Sequence, residues 1–108
     1  MPNITANTSH TTLINVFTVA PERSAELAAL LTEATEDVMQ HLPGFVSASI
    51  HVSTDGTRVA NYGQWESAEA HQAMLRNPKA GPHMAKAAEI AESFEPHLYT
   101  VYSVHGRG

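Results

Sequence analysis

Two asparagines and a tryptophan are the side chains whose types and spacing suggest a binding pocket. Because successive side chains of a strand point to opposite faces, Asn61, Gly63 and Trp65 share one face of a predicted strand. Asn15 and Phe17 share one face of another. If both sets face the helices, two amides and an indole converge, and Gly63 leaves room beside them. A buried amide needs a hydrogen-bond partner, and a bound ligand is one candidate. The alternative is that both amides bond to backbone and the indole is ordinary core.

The elements that must position these residues follow the order βαββαβ. Strands are predicted over residues 13–19, 45–53, 58–65 and 96–104, and helices over residues 21–41, 67–76 and 83–93. Pro43-Gly44 ends the first helix, and Asp55-Gly56 predicts a tight hairpin between the second and third strands. This order fits an α+β class protein, a ferredoxin-like split sandwich with a four-stranded antiparallel sheet.

The predicted strands carry apolar residues on both faces, although two helices can cover only one. Ile14 and Val16 oppose Phe17 on the first strand. The second strand has an apolar row at Val46, Ala48, Ile50 and Val52. We therefore predict a homodimer that packs sheet against sheet. The alternative is a monomer with an exposed apolar face.

Composition excludes several classes of function. The 108 residues carry a net charge of -5 and no cluster of Lys or Arg, which argues against nucleic acid and acidic membranes as partners. The absence of cysteine excludes disulfides and thiolate chemistry. The N-terminus has no signal-peptide pattern, so we expect a cytoplasmic protein. Residues 1–12 are expected to form a flexible tail, and residues 13–105 a single domain.

Seven histidines raise the question of a metal site. The sequence has no His-x-His or His-x-x-x-His pair, and the core strands have no Asp or Glu at ligand spacing. We therefore expect no metal, and histidines that lie on the surface or at the rim of a dimer.

Three segments carry a resemblance to a known family. The longest is residues 53–67, which extend from the hairpin through the tryptophan to Ser67. The other two are the corner at residues 42–45 and the strand segment 15–19. Together they resemble the antibiotic biosynthesis monooxygenases, with most similarity to the cofactor-independent anthrone oxygenases of aromatic polyketide pathways. The resemblance extends over residues 13–104. It implies a homodimer in which two sheets form a dimeric α+β barrel.

The resemblance also implies an activity. Such an enzyme oxidises an anthrone-type polyketide to the quinone with O2 as co-substrate and needs no cofactor. It places Asn15, Asn61 and Trp65 in the active pocket. His71 stands where a tyrosine is found in a relative, and it could serve as the base because histidine titrates near neutral pH. Its alternative is an exposed helix histidine. Substrate-binding residues are expected at Phe17, Gly63, Met74, His83 and Met84.

Two other functions are compatible with the same fold. A non-redox protein that binds or cyclises polyketides is one of them. The haem-degrading branch is the other, and it carries a tryptophan and an iron-binding histidine at the positions held here by Met74 and Met84. We therefore expect no haem. A pocket arginine of the anthrone oxygenases is missing too, with His83, Met84 and Lys86 nearby, which leaves the particular polyketide open.

Overall fold

Four strands with alternating inward and outward side chains pair into one antiparallel sheet, in the order β2-β3-β1-β4. The computed structural model describes residues 10–107. The elements are β1 (Thr11–Thr18), α1 (Ser24–Asp37), β2 (Phe45–Val52), β3 (Arg58–Trp65), α2 (Ala68–Leu75), α3 (Gly81–Ile90) and β4 (Ser93–Tyr99). This is the predicted ferredoxin-like α+β fold. None of the described helices is both long and apolar enough to cross a membrane.

The core between the sheet and the helices consists of two clusters of buried side chains. The first is formed by Phe17, Val19, Leu27, Leu31, Val59, Ala87, Ile90 and Ala91. The second is formed by Ala34, Val38, Met39, Trp65, Met74 and Ala80. Both clusters border the cavity described below, so the packing that stabilises the fold also fixes the walls of the site.

The boundaries of β1 and β4 differ from the predictions because the two strands pair with each other. The predicted tail of residues 1–12 is wrong at Thr11 and Thr12, which begin β1, while residues 1–9 lie outside the described part of the chain. β4 pairs from Ser93, opposite Thr18, to Tyr99, opposite Thr12. The prediction of 96–104 is therefore displaced, since β1 offers little strand beyond Tyr99 with which to pair.

The helix boundaries also differ from the predictions: α1 is shorter than predicted at both ends, and α3 begins and ends earlier. Residues 21–23 and 39–41 form 3-10 turns on either side of α1, rather than one helix over 21–41. α3 starts at Gly81 because Pro82 is tolerated in the first turn, where its missing N–H has no partner to lose. Ser67 is the N-cap of α2 as predicted, and its Oγ accepts a hydrogen bond from Ala70 N at 3.1 Å.

The β2–β3 hairpin has a five-residue loop, residues 53–57, instead of a tight turn. Gly56 adopts a φ of 75° there. The Asp55 carboxylate accepts hydrogen bonds from the side chain and backbone N–H of Thr57 and from Ser53 Oγ, at 2.7, 3.0 and 2.8 Å. These bonds lower the pKa of Asp55 to about 2. The carboxylate thus fixes the loop in place of a two-residue turn.

A corner before β2 sets the position of α2. Gly44 has a φ of 85°, and a Cβ added to it would overlap the Cβ of Ala70 on α2. A register shift follows between Phe45 and Ser47, so Phe45 pairs with Trp65 and Ser47 with Gln64. The predicted apolar row on β2 is therefore wrong at Val46, which is exposed. The shift brings an aromatic ring to Trp65.

Candidate active site

A cavity of about 270 Å³ lies between the inner face of the sheet and the helices. Side chains from all four strands form its floor. α1 and the turn after it contribute Leu31, Thr35 and Met39, while α2 contributes His71 and Met74. The site is therefore assembled from nearly every element of the domain.

The two predicted amides lie side by side in this floor. Asn15 and Asn61 are direct partners in the antiparallel pairing of β1 with β3. Asn15 is only 4% exposed. The Oδ1 atoms of both residues are buried, and neither has a hydrogen-bond partner within the described chain. Native proteins leave few buried polar atoms unpaired, so this pair indicates a place where a ligand supplies the missing bonds.

Trp65 closes one end of the floor and is held by neighbouring rings. The indole is 3% exposed, and the Phe45 ring meets it edge-on at 5.5 Å between centroids. A Cβ on Gly63 would lie 3.9 Å from Trp65 Nε1 and 3.6 Å from the Ser47 carbonyl oxygen. Because glycine has no Cβ, the space beside the indole N–H remains open.

His71 faces this group from α2. Its ring lies 6.0 Å from that of Trp65 at an angle of 73°, and its Nδ1 is buried with no hydrogen-bond partner among residues 10–107. Burial lowers the pKa of His71 below its ordinary value, because desolvation disfavours the charged imidazolium. The ring is therefore neutral near pH 7 and able to accept a proton.

The rest of the cavity is mainly apolar, with Thr35, Ser47 and His97 as its other polar residues. Its lining has no Asp, Glu, Lys or Arg. Three methionines, Met39, Met74 and Met84, contribute flexible thioethers that pack well against aromatic rings. Within residues 10–107 there is no group of three His, Asp or Glu side chains that could hold a metal ion. Such a lining suits a flat, uncharged aromatic ligand.

The structure brings most of the predicted site residues together. Those that line the cavity are Asn15, Phe17, Asn61, Gly63, Trp65, His71, Met74 and Met84. His83 does not line the cavity, whereas its neighbour Met84 does. Consecutive helical side chains point about 100° apart, so only one of the two can face the cavity.

Sequence reasoning missed two groups of lining residues. Leu31, Thr35 and Met39 follow one another at intervals of four, which places them on one helical face, but the polar threonine interrupts the apolar pattern. On β4, Phe94 was missed because the strand was predicted to begin only at residue 96. Residues 96–98 also line the cavity, and they lay inside the predicted strand without being named as site residues. The interval of four was the available signal for the first group.

A family model and similar proteins agree with this geometry. Residues 11–90 match the model of the antibiotic biosynthesis monooxygenases. The chain belongs to the antibiotic biosynthesis monooxygenase family. Over 72 residues it is 51% identical to the tetracenomycin-F1 monooxygenase of Streptomyces glaucescens, a match that covers 67% of this chain and 64% of that relative. The chain thus matches less than two thirds of the length of this relative.

Solved structures of other proteins share the fold. A monooxygenase from the gene ActVA-Orf6 of Streptomyces coelicolor, in complex with nanaomycin D, is 26% identical with a TM-score of 0.83. The similarity covers 91% of this chain and 92% of that one. SnoaB of Streptomyces nogalater, a cofactor-independent oxygenase, is 26% identical with a TM-score of 0.74, over 88% of this chain and 95% of that one. These family members confirm the ferredoxin-like α+β architecture.

The space beside the indole gives a direct test of the cavity. Gly63→Ala adds a methyl group at ordinary contact distance from its neighbours, so we expect an unchanged melting temperature. The methyl occupies the position next to Trp65 Nε1, and the affinity for anthraquinone should fall by about tenfold or more. Since Trp65 is the only tryptophan, quenching of its fluorescence reports binding.

Gly81→Ala is the matched control, because a Cβ at Gly81 meets nothing within 4 Å. Equal affinities of the two variants would show that aromatic ligands do not bind beside the indole.

Proposed function

We propose that this protein is a cofactor-independent monooxygenase that oxidises an anthrone-type aromatic polyketide to the quinone with O2. The observation that carries the proposal is the set of unpaired polar atoms within one aromatic-lined cavity that has no Asp, Glu, Lys or Arg: the amide oxygens of Asn15 and Asn61, which can accept from a substrate hydroxyl, and the ring Nδ1 of His71. The similarity to a tetracenomycin-F1 monooxygenase, and to an oxygenase structure that holds nanaomycin D, supports the same class of substrate.

The chemistry uses the substrate itself as the reductant. Removal of a proton from the CH2 group of the anthrone gives an anion delocalised over the rings and the carbonyl oxygen. The anion transfers one electron to O2, and the radical and superoxide combine to form a C–O bond. The proton taken at the start returns to the peroxide anion. The resulting hydroperoxide loses its remaining C–H proton as its O–O bond breaks, and this proton leaves with the departing hydroxide as water. One anthrone and one O2 thus give one quinone and one water, and no external electrons are needed.

The residues of the cavity have distinct tasks in this scheme. His71, neutral because of its burial, takes the proton from carbon. The side-chain N–H groups of Asn15 and Asn61 and the indole N–H of Trp65 donate hydrogen bonds to the oxygen on which negative charge develops. The apolar remainder excludes water and holds the flat rings, with Phe17, Met74 and Met84 as contacts.

The outer face of the sheet supports a homodimer. Val16 is 36% exposed in the middle of this face, and Tyr99 is exposed on its edge strand. A second copy packed sheet against sheet would cover these apolar groups.

Anthrone oxidation by the purified protein tests the proposed activity. Chelator-treated protein should convert 1,8-dihydroxyanthrone to the quinone with one O2 consumed per product, faster than the spontaneous reaction. Asn61→Ala and Trp65→Phe should each lower kcat/KM by roughly 10- to 1,000-fold, because each removes a donor to the developing oxyanion. Oxygen uptake measures the O2 consumed, and absorbance measures the quinone formed; the rates give kcat/KM.

Asn77→Ala, an asparagine outside the cavity, is the matched control and should retain the full rate. A rate no higher than background, together with tight binding of the quinone, would support the non-redox polyketide-binding protein instead.

The pH profile tests the role of His71. The base must be neutral, and burial lowers its pKa below the ordinary value of about 6.5. As pH falls, kcat/KM should therefore reach half of its maximum below the ordinary histidine pKa and not at it. His71→Gln should lower kcat/KM by roughly 100-fold or more and remove this acid limb. His83→Gln, which alters a histidine outside the cavity lining, should change neither.

Persistence of the acid limb in His71→Gln would assign the proton transfer to another group.

The dimer can be tested on the outer face. Val16→Asp places a charge at the centre of this face, where a second copy would have to desolvate it, so we expect a monomer by light scattering. Val52→Asp is the control, because it alters a similarly exposed valine at the end of β2. Light scattering of this variant should still give the mass of a dimer. A wild-type protein with the mass of one chain would refute the proposal.

A further inference from the structure

The floor of the cavity continues beyond the helices onto β4. The inward side chains of this strand lie beside those of β1, with Phe94, Pro96 and Leu98 opposite Phe17, Asn15 and Leu13. We call these three β4 residues the β4 shelf, and all of them line the cavity. Yet Phe94 is 50% exposed and Leu98 41%. The sheet therefore extends one strand further than the helices that cover it.

The β4 shelf is apolar and joins the buried floor through an aromatic contact. The rings of Phe94 and Phe17 lie 5.9 Å apart at 39°, so an aromatic surface runs from the buried interior to the outside. Leu75, at the end of α2, is 52% exposed and also lines the cavity. A patch of large exposed apolar side chains that is continuous with a cavity marks a ligand-binding surface.

Size and charge indicate what part of a ligand lies there. The cavity of about 270 Å³ includes the space over the shelf, and it is small against the roughly 300–1,000 Å³ of pockets that bury most of a drug-sized ligand. A linear polycycle of four rings that enters the cavity would therefore reach from the buried floor onto the shelf. The lining has no Lys or Arg, and His97, the histidine of the lining that lies on β4, is 59% exposed, so a carboxylate in the buried part would be desolvated without a cationic partner.

We propose that the β4 shelf is a subsite for the outer ring of a linear fused polycycle bound end-on. The reacting ring lies inside, beside Asn15 and Asn61, and any ionised substituent is carried by the ring over the shelf. The identity of the reacting ring rests on the function proposed above. The subsite itself is a claim about ligand binding, so it can be tested with ligands that do not react.

Binding of unreactive quinones, followed by Trp65 fluorescence, tests the subsite. The four-ring naphthacenequinone should bind about tenfold more tightly than the three-ring anthraquinone, since one face of an additional ring buries on the order of 50 Å² of apolar surface. Leu98→Ser and Phe94→Ser should each reduce this ratio to less than threefold. Val52→Ser, at a β2 valine that is 47% exposed and outside the lining, should preserve it.

A ratio that survives in both shelf variants, or a wild-type protein that binds the two quinones equally, would overturn the proposal.

Two isomeric ligands test the end-on orientation without any substitution. Anthraquinone-2,3-dicarboxylate carries both charges on one outer ring, which can stay over the shelf. Anthraquinone-2,6-dicarboxylate carries one at each end, so one charge must enter the cavity. We expect the 2,6 isomer to bind at least tenfold more weakly. Equal affinities would contradict end-on binding. If the quinones bind as expected but no anthrone is oxidised, the proposed oxygenase activity fails and the subsite stands.

Discussion

The antiparallel pairing of β1 with β3 is the constraint on which the site depends. Its register sets Asn15 against Asn61 and Leu13 against Gly63. A shift of β1 by one residue would turn Asn15 to the outer face and place an apolar neighbour, Ile14 or Val16, beside Asn61. The same pairing places buried Val59 beside Phe17 in the first core cluster, so the register is fixed by apolar packing well away from the polar groups. The core thus maintains an arrangement that the amides alone would disfavour.

The cost of that arrangement explains the form of the cavity. Burying polar atoms without partners destabilises a fold by about 1–3 kcal/mol for each group. Three such atoms around one space, on Asn15, Asn61 and His71, are hard to explain as a means of stabilising the domain. They fit a site in which a bound ligand supplies the missing hydrogen bonds. The open space beside Gly63 and the neutral ring of His71 are consistent with such a site.

Much of this could be predicted from the sequence because strands have a strict period of two. The parity of Asn61, Gly63 and Trp65 placed all three on one face of their strand, and in the structure this face lines the cavity. Parity failed at Val46, where a register shift breaks the period. The facing of His71 and His83 could not be decided, since both lie near helix starts whose positions depend on tertiary packing. The β4 shelf was missed because the start of β4 is set by its pairing with the end of β1, Ser93 opposite Thr18, which is a long-range property.

The acidity of a bound ligand tests the central claim most directly. A dry cavity without donors raises the pKa of a phenol, whereas donors aimed at its oxygen lower it. We would titrate 2-hydroxyanthraquinone, whose colour reports its ionisation, free and bound to the protein. The account predicts a pKa at least about one unit lower when bound, equivalent to about 1.4 kcal/mol of anion stabilisation. A raised pKa would show that the amides and the indole do not stabilise an aromatic anion.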